Sequence, residues 1–227
     1  MREKKNIKLD AVNLLDEIQN GKYSNIQMNY YFSRNEYSRK EREFITNIIN
    51  VTLKNLIFVD YVLGQTVRNI QKRKIKQLLR ISAAQILFMD SDNAGVVYEA
   101  GEISKIINKH QTGFVNATLQ AIIKNKEEII NAIPEDKREG IIYSYPQWFV
   151  NKLKNDYPED YTGIMKTYKE RSYLSVRYNR KKLNREDFEK ILSEIKSEVL
   201  FSADEVYYLS NGNILLTEEY KKGDIVI

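Results

Sequence analysis

The chain has 227 residues, 42% apolar and 30% charged, with a net charge of +5, which is the composition of a globular protein of one large or two smaller domains. No window approaches the ~18 uninterrupted apolar residues of a membrane helix, the basic start "MREKKNIKLD" lacks the apolar stretch of a secretory signal, and a cytoplasmic location is the default expectation. With no cysteine and a single histidine, the sequence excludes disulfides, thiolate zinc sites and cysteine nucleophiles; His110 alone makes no metal site and reads as a solvated helix-end residue.

The charge is unevenly placed. Residues 1–133 carry 20 Lys and Arg against 14 Asp and Glu, whereas residues 134–227 carry 16 against 17. The front half is therefore the expected anion-binding half, although solubility alone also explains a few extra lysines.

Up to Pro134 the chain reads as helix after helix. "LDAVNLLDEIQNG" repeats apolar residues along one face and stops at Gly21. "SRKEREFITNIINVTLKNLIFVDYVLG" opens with Ser38 and Glu41 at capping-box spacing, so that hydroxyl and carboxylate satisfy each other's free N–H groups. "IKQLLRISAAQILFMD", "GVVYEAGEISKIINKHQTG" and "GFVNATLQAIIKNKEEIINAI" follow with short links. Five or six such helices imply a bundle over residues 1–135.

After Pro134 the texture changes to mixed α+β over residues 136–227. In "YSYPQWFVNKL", Ser144 and Gln147 stand at capping-box spacing, with Pro146 expected inside the first turn. "SYLSVRYNR" alternates as a half-buried strand, and "NREDFEKILSEIK" is a helix capped by Asn184. "EVLF", "EVYYL", "NILL" and "DIVI" supply short strands, with "SNGN" as a hairpin-type turn. The final "YKKGDIVI" raises the question of whether the chain closes a natural sheet edge or stops where a larger protein continues.

Residues 61–89 contain no acid but carry Arg68, Lys72, Arg73, Lys74, Lys76 and Arg80. On a helix, Lys72, Arg73, Lys76 and Arg80 fan across about 100° of surface opposite Ile75, Leu78 and Leu79. Such a stripe suits nucleic-acid phosphates, and it equally describes an ordinary solvated face. Arg2, Lys4, Lys5 and Lys8 form either a basic arm or a frayed terminus. Tyr30 and Tyr31 beside Arg34 are the exposed-looking members of 16 tyrosines that otherwise read as packing. Arg177 and Asn179 project from one polar strand face, as a reader of phosphate or base edge or as plain surface. There is no glycine-rich phosphate loop and no acid–base pair at persuasive spacing, so on its own residues the chain does not read as an enzyme.

The ordered run "LLRISAAQILFMD", "VVYEAGEISK", "GFVNATLQAIIK" resembles the helical NusB fold, and "YSYPQWFVNKL" with "SVRYNRKKLNREDFEKIL" resembles the linker segment of the RsmB (Sun/Fmu) family. Members of that family methylate C5 of a cytosine in small-subunit (16S) ribosomal RNA. They place a NusB-like domain and a small RNA-recognition-like region ahead of a catalytic domain that binds S-adenosylmethionine. The resemblance implies an N-terminal RNA-binding fragment, inactive alone, with no cofactor of its own and S-adenosylmethionine bound by the intact protein. It implies ribosomal RNA as partner, no membrane, and a ribosomal protein or a second copy of the chain as contacts of the helical domain. In the family a strand like "GDIVI" leads into the catalytic domain, which is its answer to the question of the last residues. Arg177 and Asn179 keep the family's Arg-x-Asn pair, placed near substrate RNA. Phe114 is expected in the bundle core, and Asn116 is expected to satisfy backbone groups of a neighbouring loop. Asn50 and Val51, Ser82, Gln120 and Tyr145 depart from the family's usual residues. The alternative reading is a NusB-like antitermination factor, which would end near residue 135.

Overall fold

The computed structural model describes residues 6–70, 72–169, 173–203 and 205–227. Among the described residues, seven α-helices precede Pro134: α1 (Ile7–Ile18), α2 (Ser24–Arg34), α3 (Arg39–Lys54), α4 (Leu56–Thr66), α5 (Arg73–Phe88), α6 (Asn93–Asn108) and α7 (Thr112–Asn131). The count exceeds the expected five or six because α2 has only a weak apolar face and because Asn55 breaks the long third segment into α3 and α4. The Ser38–Glu41 capping box forms as expected, with both reciprocal hydrogen bonds present.

Helix α5 is the axis of the bundle. Every residue from Gln77 to Ile86 is buried, and α1, α3, α4, α6 and α7 all pack against it. A helix buried on all sides needs small residues as well as large ones, and Ala83 and Ala84 supply the close approach that Leu78, Leu79 and Ile81 fill around. Each fully buried Leu or Ile here contributes roughly 1.5–3 kcal/mol of transfer free energy.

Packing divides the chain into two units, Met1–Met165 and Lys166–Ile227, later than the boundary expected near residue 135. The reason lies in α8 (Glu135–Ile142) and α9 (Gln147–Asp156). Ile141 joins the bundle core, and Val150 and Leu153 build a small cluster with Met165 and flanking tyrosines. The division falls within α10 (Tyr161–Lys169).

The second unit is a four-stranded antiparallel sheet of order β2-β3-β1-β4, made by β1 (Leu174–Tyr178), β2 (Val199–Ala203), β3 (Val206–Leu209) and β4 (Ile225–Val226). Helix α11 (Arg185–Glu194), capped by Asn184 as expected, lays Phe188 and Leu192 on the face formed by Val176, Tyr178, Leu209 and Ile225. "NILL" is not a strand: Asn213–Leu216 form a 3-10 turn that leads into α12 (Glu218–Lys221). Nor is "SNGN" a hairpin. Ser210 accepts from the Glu198 N–H, and the Asn211 and Asn213 amides donate to the carbonyls of Lys196 and Ile195, so these side chains tie down the link from α11 to β2. The hairpin is instead β2–β3, with Ala203 opposite Val206.

Candidate nucleic-acid interface

The basic run at the start of α5 separates into two kinds of cation. Arg73 grips Asp16 of α1 with two hydrogen bonds, 2.7 Å and 2.6 Å, and donates a third of 2.7 Å to Asn20. Arg80 is buried; it forks onto Asp60 of α4 and donates from Nη1 to Gln19 and Gln77, both at 3.1 Å. The expected exposed four-residue fan is thus corrected at Arg80, whose place on α5 faces α1 and α4 rather than solvent. Planar guanidinium groups suit such bidentate ties, and here they staple three helices together.

The lysines behave differently. Lys72 and Lys74 are exposed and Lys76 is half-buried; with exposed Arg68 they make no ion pair among the described residues. Lys74 donates to the neutral Asn13 at 2.8 Å, so its charge is not cancelled. Lys72 is the N-cap of α5, and no side chain caps that end. Cations at a helix N-terminus oppose the helix dipole, and the uncapped N–H groups add to the same positive field. The start of α5 therefore gathers positive potential at some local cost to the helix.

Of the proposed basic arm, Arg2, Lys4 and Lys5 lie outside the described residues. Lys8 is buried in the first turn of α1 and pairs with Glu99 of α6 at 3.3 Å, so it belongs to helix packing. Burial pulls its ammonium below its ordinary range, with Glu99 partly offsetting the effect. Tyr30 is half exposed, with the Arg34 guanidinium 4.4 Å above its ring; Tyr31 is half-buried and packs against the core.

In the second unit, Arg177 points outward from β1 and makes no ion pair among the described residues. Asn179 lies one residue past the strand and turns back, its Oδ1 accepting from the Lys181 N–H at 3.0 Å. The two were expected on one polar strand face; the structure makes Asn179 a turn former instead. Both still line a single shallow cavity of about 390 Å³ with Arg180, Lys181 and Glu205, in which Arg180 is offset by Glu205.

The remaining singled-out residues are structural, in partly unexpected ways. Phe114 is half-buried against the bundle core, whose centre in α7 is taken by Val115 and Leu119. Asn116 does not satisfy a loop: its Oδ1 is buried without a hydrogen-bond partner among the described residues and packs against Gly101 of α6. Ser144 does not cap α9. It sits just past α8 with φ of 58°, and its hydroxyl accepts from the backbone N–H groups of Ile57 at 2.9 Å and Phe58 at 3.4 Å. With Ser144 engaged there, Pro146 rather than a serine becomes the N-cap of α9, two residues after the expected cap. No local spacing rule carries such a cap, because its two halves stand 87 residues apart.

Residues 5–124 match the NusB family, and residues 145–206 match the RsmF/B-like methyltransferase ferredoxin-like domain. A probable ribosomal RNA small subunit methyltransferase B of Bacillus subtilis is 29% identical over 98% of the chain and 51% of its own length. The transcription antitermination protein NusB of Campylobacter jejuni is 25% identical over 56% of the chain and 100% of its own length. The solved structure of PH0851 superposes with a TM-score of 0.69 at 17% identity, over 100% of this chain and 54% of that one, and so supports the fold. The chain spans about half the length of the Bacillus protein.

Proposed function

Because the chain belongs to the NusB family, with an RsmF/B-type ferredoxin-like segment later in the chain, we propose that it binds small-subunit ribosomal RNA and orients it for a cytosine-5 methyltransferase domain. The observation that carries this reading is the order of the two matches. One relative, a small-subunit ribosomal RNA methyltransferase by name, aligns across both in that order over 98% of the chain. Lys72, Lys74, Lys76 and Arg68 are the phosphate-contacting residues of the reading, and Arg177 contributes from the second unit. Contacts of this kind position RNA without reading its sequence.

Methyl transfer would draw on S-adenosylmethionine held elsewhere. The sequence has no glycine-rich loop between a strand and a helix, so none of residues 1–227 is assigned to the cofactor. On this reading the protein works in the cytoplasm beside its ribosomal substrate.

The antitermination reading rests on the Campylobacter NusB match, which leaves the sheet of the second unit unexplained. Titration of a small-subunit ribosomal RNA hairpin at rising salt tests the proposal. Binding that weakens steeply as salt rises is the expected result; failure to bind at ~50 mM salt contradicts it.

A further inference from the structure

The sheet of the second unit has two unlike faces. Alternation along β1 sends Leu174, Val176 and Tyr178 to α11 and leaves Tyr173, Ser175 and Arg177 on the other side. Register places Tyr208 of β3 opposite Ser175, and Phe201 of β2 opposite Tyr208, so all share that second face. There the Phe201 and Tyr208 rings stack with centroids 4.2 Å apart and 14° between planes, and Tyr173 meets Phe201 edge-on at 5.7 Å. Phe201 is 48% exposed and Tyr173 52%.

This arrangement works against the isolated sheet. β2 is an edge strand, and Val199, Leu200 and Phe201 are all exposed on it, which invites pairing with other chains unless the surface has a use. Stacking preorganises the rings at no benefit to the hydrophobic core, which lies on the opposite face. Further along the same face stands Arg177, two residues and so about 7 Å from Ser175 along β1, with no carboxylate partner among the described residues. Its neighbours Arg180 and Lys182 are paired, with Glu205 and Asp224.

We propose that this open face is a stacking platform for unpaired RNA bases, on which Phe201, Tyr208 and Tyr173 receive base faces and Arg177 takes the adjoining phosphate. Flat rings accept any base, because every base has a π-face, and a guanidinium beside them matches the charge that runs between bases. A purely apolar protein partner would leave Arg177 buried and unpaired. The inference rests on the RNA-docking function proposed above and narrows it, assigning single-stranded segments to the second unit.

The test uses the full chain and a fluorescein-labelled single-stranded RNA of about ten nucleotides, with binding followed by anisotropy. Phe201→Leu and Tyr208→Leu are expected to weaken binding about 5- to 100-fold each while leaving the salt dependence unchanged, since stacking releases no counterions. Tyr208→Phe keeps the ring and is expected to keep the affinity. Arg177→Gln should lower the salt slope by about one phosphate contact. Thermal melting establishes that the variants are folded, which the exposure of Phe201 favours. Wild-type-like affinity of folded Phe201→Leu and Tyr208→Leu overturns the inference and leaves the docking function standing. If those variants instead alter sedimentation of the chain, the face is a protein contact and the inference is equally overturned. Failure of the unaltered chain to bind either this RNA or a hairpin at ~50 mM salt overturns the docking function, and the inference with it.

Discussion

The hydroxyl of Ser144 accepts the backbone N–H of Ile57 at 2.9 Å, capping the first turn of α4 from the loop after α8. Asn55, at the N-cap of α4, gives that end no side-chain hydrogen bond. The tie fixes α8 to the bundle and explains why that helix packs with the NusB-like part although it follows Pro134. Ser144 occupies a left-handed backbone position that ordinarily falls to glycine. The strain is the cost of carrying a hydroxyl there.

Ser144→Ala removes the cap and keeps the strain, so a loss of about 1–2 kcal/mol is expected in urea unfolding. Ser144→Gly removes both, and its two effects should nearly cancel. Equal losses for the two variants would contradict the capping role.

Arg80 and the lysines should separate stability from binding. Arg80→Ala leaves Asp60 unpaired and strips Gln19 and Gln77 of a donor, so a loss of roughly 2–4 kcal/mol is expected. Lys72→Gln and Lys76→Gln should leave the melting temperature unchanged or slightly raised, since they relieve the unfavourable dipole contact, while weakening RNA binding.

Gly101 and Asn116 are coupled. A Cβ on Gly101 would lie 3.0 Å from the Asn116 Oδ1, closer than side chains comfortably approach. Gly101→Ala is therefore expected to be less favourable, by about 1 kcal/mol, in the wild type than in an Asn116→Ala background. A double-mutant cycle by chemical denaturation measures the difference, and additivity would contradict the contact.

Alkaline pH should loosen the helical unit. Burial, then the nearby charges of Glu17 and Asp10, pushes the Tyr31 hydroxyl up to about 12, and burial with its hydrogen bond to Asp10 pushes Tyr37 higher still. Both fold around the neutral phenol, so their contribution is complete below the unfolded value of about 10 and is lost as pH rises through the folded values. Unfolding free energy should fall between pH ~10 and ~12, and less steeply in Tyr37→Phe.

The sequence was most legible where a rule is local. The Ser38–Glu41 box, the Asn184 cap, the alternation of β1 and the apolar face of α5 depend on residues within one or two turns of each other. It was least legible where the partner is distant. Nothing near Arg80 announces Asp60, nothing near Ser144 announces Ile57, and Phe201 meets Tyr208 only through the register of β2 on β3. The basic stripe is visible in the sequence as a concentration of charge. Its division into stapling arginines and unpaired lysines follows from three-dimensional neighbours alone.

The central claim is that the lysines at the start of α5 hold RNA phosphates. Its most direct test is the affinity for a small-subunit ribosomal RNA hairpin, measured from ~50 to ~200 mM salt for the wild type and for the combined Lys72→Gln, Lys74→Gln and Lys76→Gln variant. Steep salt dependence is expected in the wild type, and a slope of log K against log salt that is shallower by about two to three in the variant, with stability unchanged or slightly raised. An unchanged slope and affinity in the folded variant would contradict it.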